Sequence, residues 1–244
     1  MNLLKSAAAK SLIRSLDYAL HLFFPDRCLY CRAFLSVKDG VPLCDTCRRT
    51  YAPVGRICPR CERFCTGEHS CTCSTANAPL KMLFALSLYD QKWRFMLHDL
   101  KYKKRRYLAR PIGLWLAREI TAYSYCKPQF IVPVPLHSFR EKERGFNQSA
   151  LIAGYVSHIL GVPCRQLLEK NKETISQTTI SRRERHENVR GVFSCVKSLP
   201  PGSTVLLVDD IYSTGATMKE AASVLEKCGA NVYGAVVSYN PRIA

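Results

Sequence analysis

The sequence predicts an α/β protein with a mostly parallel sheet, preceded by a small cysteine-rich metal-binding module. Three observations predict it. Val205-Leu-Leu-Val208 is an unbroken apolar run with a β-branched residue at each end, as in a strand buried on both faces. Strand candidates alternate with helical patterns from about residue 79 onward. Nine of the thirteen cysteines fall between Cys28 and Cys73 in paired spacings. Such crowding reads as metal ligation rather than a disulfide framework.

The elements follow in chain order. Leu3, Leu4, Ala7, Ala8, Leu12, Ile13, Leu16, Leu20 and Phe23 keep helical spacing, with Lys5, Lys10 and Arg14 mostly opposite. This predicts an amphipathic helical segment over 1–24, suited to covering a neighbouring domain or to touching a membrane or partner. Its apolar residues are too interrupted by charge for a secretory leader.

Residues 25–78 form the cysteine module, a double knuckle. Cys28-Leu-Tyr-Cys31 and Cys44-Asp-Thr-Cys47 are two CxxC pairs separated by twelve residues. Each tight turn points two sulfurs at one ion, and two turns complete a closed zinc tetrahedron with no open position for catalysis. A second zinc site is expected from Cys58, Cys61, Cys71 and Cys73, with Cys65 and His69 as competitors for a place.

The larger domain is expected over 79–244. Leu83–Tyr89 reads as a strand, Trp93–Leu100 as amphipathic, and Leu108–Ala122 as a helix through Ile112, Trp115, Leu116 and Ile120. Phe130–Pro135 is a short strand stopped by Pro133 and Pro135. The stretch that follows it, to Gln148, reads as a basic loop, with Asn147 placed to cap the helix Gln148–Leu160. Ser198–Ser203 is a turn, Met218–Gly229 a helix and Asn231–Tyr239 the last strand.

Composition narrows the function. At 47% hydrophobic and 23% charged residues the chain is globular. Its formal charge of +17 suggests an anionic partner such as nucleic acid, a nucleotide or an acidic membrane face. No run approaches about 18 apolar residues, so no transmembrane helix is expected. Reduced cysteines imply the cytoplasm.

The chemistry concentrates after Val208. Asp209 and Asp210 stand where the buried strand would end. Ser213, Thr214, Gly215, Ala216 and Thr217 then make a small-residue turn into a helix. Unpaired N–H groups at a helix start attract phosphate, Gly215 allows close backbone approach, and the hydroxyls add donors. Two carboxylates can accept from the 2- and 3-hydroxyls of a ribose or hold a hydrated Mg2+. Together these describe a ribose-phosphate site at the carboxyl edge of a sheet. Arg140, Lys142 and Arg144 could face pyrophosphate, Arg144 through its planar fork. The polar stretch Gln177–Phe193 has the character of a lid, with Arg182, Arg183 and Arg185 as closing cations. Lys101, Lys103, Lys104, Arg105 and Arg106, interleaved with Tyr102 and Tyr107, could follow a nucleic-acid strand or form a solvated face.

The segment from Val205 to Thr217 resembles the phosphoribosyl pyrophosphate (PRPP) motif of type I phosphoribosyltransferases, with Ser213 in place of the usual first Thr. The ordered set is wider: the cysteine module, Leu100-Lys-Tyr-Lys103, Val132-Pro-Val-Pro135, Arg144-Gly-Phe-Asn-Gln148, Gln177 with Arg185 and Asn188, and the PRPP motif. It resembles the ComF family of amidophosphoribosyltransferase-like proteins over nearly the whole chain. The resemblance implies a type I phosphoribosyltransferase fold, PRPP with Mg2+ as ligands, and a role in competence and DNA uptake. Single-stranded DNA and DNA-uptake or recombination proteins are then the expected partners. It also implies that Asp209 and Asp210 hold the ribose hydroxyls and Mg2+, and that Ser213–Thr217 bind the 5-phosphate. Val134, Pro135, Leu136 and His137, with Arg144, would meet pyrophosphate. Hypoxanthine-type enzymes carry an Asp where Ser213 stands, and a serine cannot serve as acid or base near neutral pH. Salvage of 6-oxopurines is therefore not expected, and the acceptor is open; the alternative reading is a non-catalytic module that binds single-stranded nucleic acid, in which PRPP binding is regulatory or vestigial.

Overall fold

Val205 to Val208 lie in the first half of a nine-residue strand, flanked on both sides in a mixed six-stranded sheet. The protein is described here from a computed structural model covering residues 27–35, 43–50, 54–65, 73, 78–122, 126–172 and 189–241. The segment 1–24, His69, Cys71 and the lid arginines Arg182, Arg183 and Arg185 lie outside the described residues. The chain divides into two compact units, 1–52 and 53–244.

In the first unit, the Cys28–Cys31 turn closes through Arg32 N–H to the Cys28 carbonyl (2.9 Å) and Cys28 N–H to the Ala33 carbonyl (2.7 Å). Arg32 sits at φ +66°, a conformation that orients the knuckle at some strain for a non-glycine residue. Helix α1 (Asp45–Thr50) carries Cys47. The second knuckle repeats the turn. Glu62 N–H donates to the Cys58 carbonyl (2.8 Å) and Cys58 N–H to the Arg63 carbonyl (3.0 Å), with Glu62 at φ +59°.

That second knuckle is part of the sheet. It joins β1 (Gly55–Ile57) to β2 (Phe64–Cys65), and β1 pairs antiparallel with β3 (Leu80–Leu88). Next come α2 (Gln91–Tyr102), a 3-10 turn (Arg106–Leu108) and α3 (Ala109–Thr121). Then follow β4 (Phe130–Pro133), α4 (Ser138–Arg144), α5 (Gln148–Leu160), and the small hairpin of β5 (Leu168–Lys170) with β6 (Phe193–Cys195). The chain ends in β7 (Thr204–Tyr212), α6 (Ala216–Lys227) and β8 (Asn231–Tyr239). The strand order is β2-β1-β3-β8-β7-β4, and β3, β8, β7 and β4 are mutually parallel.

Strand alternation sends side chains to both faces. Val205 and Leu207 join Ala221, Ala222 and Leu225 of α6 in one core cluster. Leu206 and Val208, also fully buried, point to the opposite face. There α3 and α5 pack together so closely that a β-carbon on Gly113 would meet Tyr155 Cβ at 2.6 Å. Trp93 and Trp115 anchor the same side, rings 6.0 Å apart.

Two expectations change. The stretch after β4 is a short helix, not a loop. His137 Nδ1 accepts from Phe139 N–H at its start, and Gly145 ends it in the left-handed region at φ +80°. The core strand also runs past the acids to Tyr212, because β8 continues the parallel ladder to Tyr212↔Tyr239.

Candidate functional site

β4 stops its pairing at Pro133↔Val208, whereas β8 stays paired to the end of β7. Asp209 and Asp210 therefore lie on a strand whose one edge has just lost its neighbour, at the carboxyl end of the parallel sheet. Crevices of this kind form where the sheet opens. Both acids are buried.

Their partners come from the start of α5. Ser149 Oγ donates to Asp209 Oδ1 at 2.8 Å, and the Asp210 backbone N–H donates to the same oxygen at 2.9 Å. Gln148 Nε2 reaches Asp210 Oδ1 at 3.5 Å, and Lys101 Nζ forms an ion pair with Asp210 Oδ2. Burial and the neighbouring Asp210 charge raise the Asp209 pKa to about 7, against the pull of Ser149. Burial pushes Asp210 up as well, but the Lys101 ammonium outweighs it and holds Asp210 below the ordinary carboxylate range. The pair thus carries one firm negative charge and one that titrates near neutrality.

The Arg144-Gly-Phe-Asn-Gln148 motif is the bracket around this pair. Asn147 Oδ1 caps α5 by accepting from Ser149 and Ala150 N–H (2.9 and 3.3 Å), while its Nδ2 donates to the Val134 carbonyl at 3.0 Å. Arg144 donates to Gln148 Oε1 and lies over the Tyr102 ring at 5.2 Å. Phe146 is buried beneath Arg106, whose guanidinium also donates to the Gly145 carbonyl at 2.9 Å. Val134 N–H is held by the Val208 carbonyl at 2.9 Å. Val134 and Pro135 are buried, and Leu136 and His137 are half-buried. Residues 134–137 thus sit at the end of the strand that borders Val208, with Asp209 next in line.

Beyond Tyr212 the chain turns through Ser213 and Thr214 into Gly215, at φ +75°, which opens α6. A β-carbon there would also collide with the Tyr212 ring, so this position needs glycine for conformation and for space. Thr214 Oγ1 accepts from Ala216 N–H at 3.4 Å. Ser213 and Thr217 are half-buried, Thr214 and Ala216 buried. One sheet edge therefore carries two acids, a hydroxyl-rich bend and a helix N-terminus, a combination suited to a sugar diol and a terminal phosphate.

Most of the basic run makes contacts within the protein, while all of it but Lys101 stays exposed to solvent. Lys101 pairs with Asp210; Lys103 and Arg105 pair with Asp99, at 3.0 and 2.6 Å; Arg106 holds Gly145. Lys104, at φ +54°, is exposed. Lys101, Gln148 and Ser149 as partners of the acids escape sequence reasoning, since sequence spacing does not reveal which distant side chain meets a carboxylate. The available signal is their place within Leu100-Lys-Tyr-Lys103 and beside the Asn147 cap.

Cysteine sulfurs gather twice. Those of Cys28, Cys31, Cys44 and Cys47 all lie within 4.8 Å of one another. Zinc–sulfur bonds of about 2.3 Å in a tetrahedron require sulfurs about 3.8 Å apart, so the set fits. Cys31 and Cys44 are already 3.5 Å apart. Burial and the facing thiols push Cys47 up to about 12. Backbone N–H groups of Cys31, Cys44 and Tyr30 overcome burial to bring Cys28 to about 7. Cys58, Cys61 and Cys73 form the second group. Cys65 is not in it; its thiol donates to the Arg63 carbonyl at 3.8 Å.

The phosphoribosyl transferase domain family matches residues 147–243. DNA utilization protein YhgH of Salmonella typhi is 30% identical over 86% of this chain and 94% of its own length. Competence protein F of Haemophilus influenzae is 29% identical over 85% and 93%. Among solved structures, an adenine phosphoribosyltransferase is 22% identical with a TM-score of 0.36, covering 53% of this chain and 69% of that one. By motif order, by its carboxyl-terminal α/β domain and by identity spread over whole relatives, the chain belongs to the ComF family of competence and DNA utilization proteins.

Proposed function

We propose that the protein binds PRPP with Mg2+ at the carboxyl edge of its sheet and transfers the phosphoribosyl group to an acceptor during DNA uptake or processing. The observation that carries this reading is the buried pair Asp209 and Asp210 beside a left-handed Gly215 at the start of α6. Asp209 and Asp210 would accept from the ribose 2- and 3-hydroxyls. Ser213–Thr217 would hold the 5-phosphate with backbone N–H groups and hydroxyls. Residues Val134–His137 and Arg144 would meet pyrophosphate, and Arg182, Arg183 and Arg185 would close over it.

In the transfer, the bond from the anomeric carbon to the pyrophosphate oxygen breaks and a bond to the acceptor nucleophile forms. The transition state resembles an oxocarbenium ion, so the protein acts chiefly by positioning and charge stabilisation. Mg2+, when bound, neutralises the departing pyrophosphate; two metal-ready cysteine clusters point to structural zinc elsewhere. Among the described residues no helix is long and apolar enough to cross a membrane. Free thiols at these clusters suit the reducing cytoplasm. The +17 charge favours single-stranded DNA, and with it DNA-uptake or recombination proteins, as partners.

Incubation with PRPP, Mg2+ and pooled bases, amines or single-stranded DNA should release pyrophosphate above buffer, and Asp209→Asn/Asp210→Asn should abolish the release. Absence of release with every acceptor class would contradict transferase activity.

A further inference from the structure

Asp210, one of the two acids proposed above to meet the sugar and its metal, already holds a cation of the protein's own. Lys101 Nζ pairs with Asp210 Oδ2, and Gln148 Nε2 reaches Oδ1 at 3.5 Å, so both carboxylate oxygens are engaged from within the chain. The pair is shielded, with 18% of the Lys101 side chain and 7% of the Asp210 side chain exposed. The rest of the basic run has other partners. Lys103 and Arg105 pair with Asp99, and Arg106 donates to the Gly145 carbonyl.

These contacts close into a ring. Asp210 meets Gln148, whose Oε1 accepts from Arg144. The Arg144 guanidinium lies over the Tyr102 ring at 5.2 Å, and Tyr102 follows Lys101 at the end of α2. The proposed diol acid is thereby joined to the proposed pyrophosphate cation. Two cations repel strongly beside one shielded carboxylate oxygen. A divalent ion or sugar hydroxyl that takes Asp210 Oδ2 therefore displaces the ammonium. Lysine suits such an exchange, because its ammonium is a point charge on a flexible stem, whereas an arginine fork is held by its geometry.

We infer that Lys101 is a resident counter-ion of the acid pair, standing in the place of the incoming cation and leaving Asp210 when the site fills. Lys101 is then a positioning residue: it holds Asp210 in the free protein and sets the affinity that a ligand must exceed. The role builds on the ribose-phosphate reading for its occupant, whereas metal alone tests it without PRPP. Breaking a buried ion pair is costly when nothing replaces the lost charge, and a second cation supplies that replacement. Removal of Lys101 should thus tighten metal binding, the opposite of what loss of a merely structural contact would do.

Titration of the full chain with Mn2+, followed by electron paramagnetic resonance in the absence of PRPP, tests it. Lys101→Met should bind Mn2+ about tenfold tighter than wild type or more. Lys101→Arg should bind as weakly as wild type, and Lys101→Met/Asp210→Asn should lose the gain. Mn2+ should also raise the melting temperature of Lys101→Met more than that of wild type, by linkage. Acetylation of Lys101 by an amine-acylating reagent, read by mass spectrometry, needs no variant. It should be slow in the free wild type and quicken as Mn2+ is added; if Lys101→Met does not fold, this measurement decides. Mn2+ binding no tighter in Lys101→Met than in wild type would overturn the inference. So would a gain that survives Asp210→Asn, or acetylation that Mn2+ leaves unchanged. Titration with PRPP is a separate arm: tightened Mn2+ binding without PRPP binding would overturn the sugar reading and uphold the counter-ion role.

Discussion

Asp209 and Asp210 are adjacent in sequence but electrostatically unlike. Lys101 secures the charge on Asp210, while burial and that same charge raise Asp209 to about 7. The sign follows. A folded-state pKa above the unfolded one stabilises the fold below about pH 4, and that contribution is lost as pH rises to about 7. Ligand binding runs the other way, since a sugar diol or Mg2+ needs the ionised carboxylate. Affinity for Mg2+–PRPP should therefore rise with pH through about 7 in calorimetric titrations. Ser149→Ala removes a hydrogen bond to Asp209, so it should move that midpoint upward and lower stability by about 1 kcal/mol. An unmoved midpoint would assign the titration to the ligand's own phosphates. Lys101→Met leaves the Asp210 charge without its main partner. Breaking such a pair costs about 3 kcal/mol, readable as a denaturation midpoint shift, with Lys101→Arg recovering part of it.

At the scale of elements, Asn147 does two jobs, capping α5 and bracing the Val134 carbonyl. Asn147→Ala should lose about 1–2 kcal/mol of stability for the cap alone. Asn147→Asp keeps a cap but not the Nδ2 donor, so it should melt nearer wild type while still weakening PRPP binding. Gly215→Ala strains a left-handed position and overlaps the Tyr212 ring. A loss of about 1–2 kcal/mol from the backbone alone is expected, together with weaker PRPP binding. These elements differ in how plainly the sequence displays them. The helix Gln148–Leu160 and the strand Asn231–Tyr239 stand where periodicity and flanking signals put them. β1 and β2, three and two residues long, are too short to show a period, and they exist because β3 offers an edge to pair with. α4 hides in a charged stretch with no buried residue, so no apolar face announces it. The PRPP-like motif was legible as a local pattern, but the Lys101–Asp210 ion pair spans the chain and arises only from folding.

At the scale of the molecule, the chain joins a parallel α/β domain to cysteine knuckles, one of which extends the sheet itself. Native mass spectrometry should find two zinc ions per chain. Cys44→Ser and Cys61→Ser should each remove one, and Cys61→Ser should also lower the melting temperature, because that knuckle joins two strands of the sheet. A single zinc in the wild type would mean that Cys58, Cys61 and Cys73 lack a fourth ligand.

The central claim is that the acid pair and the Gly215 bend together form a working ribose-phosphate pocket. Calorimetric titration of the wild-type chain with Mg2+ and PRPP tests it most directly, beside Asp209→Asn/Asp210→Asn. The pocket predicts saturable binding at one site per chain that needs Mg2+ and disappears in the double variant. Heat of binding that persists undiminished in that variant, or no binding by the wild type, would contradict it.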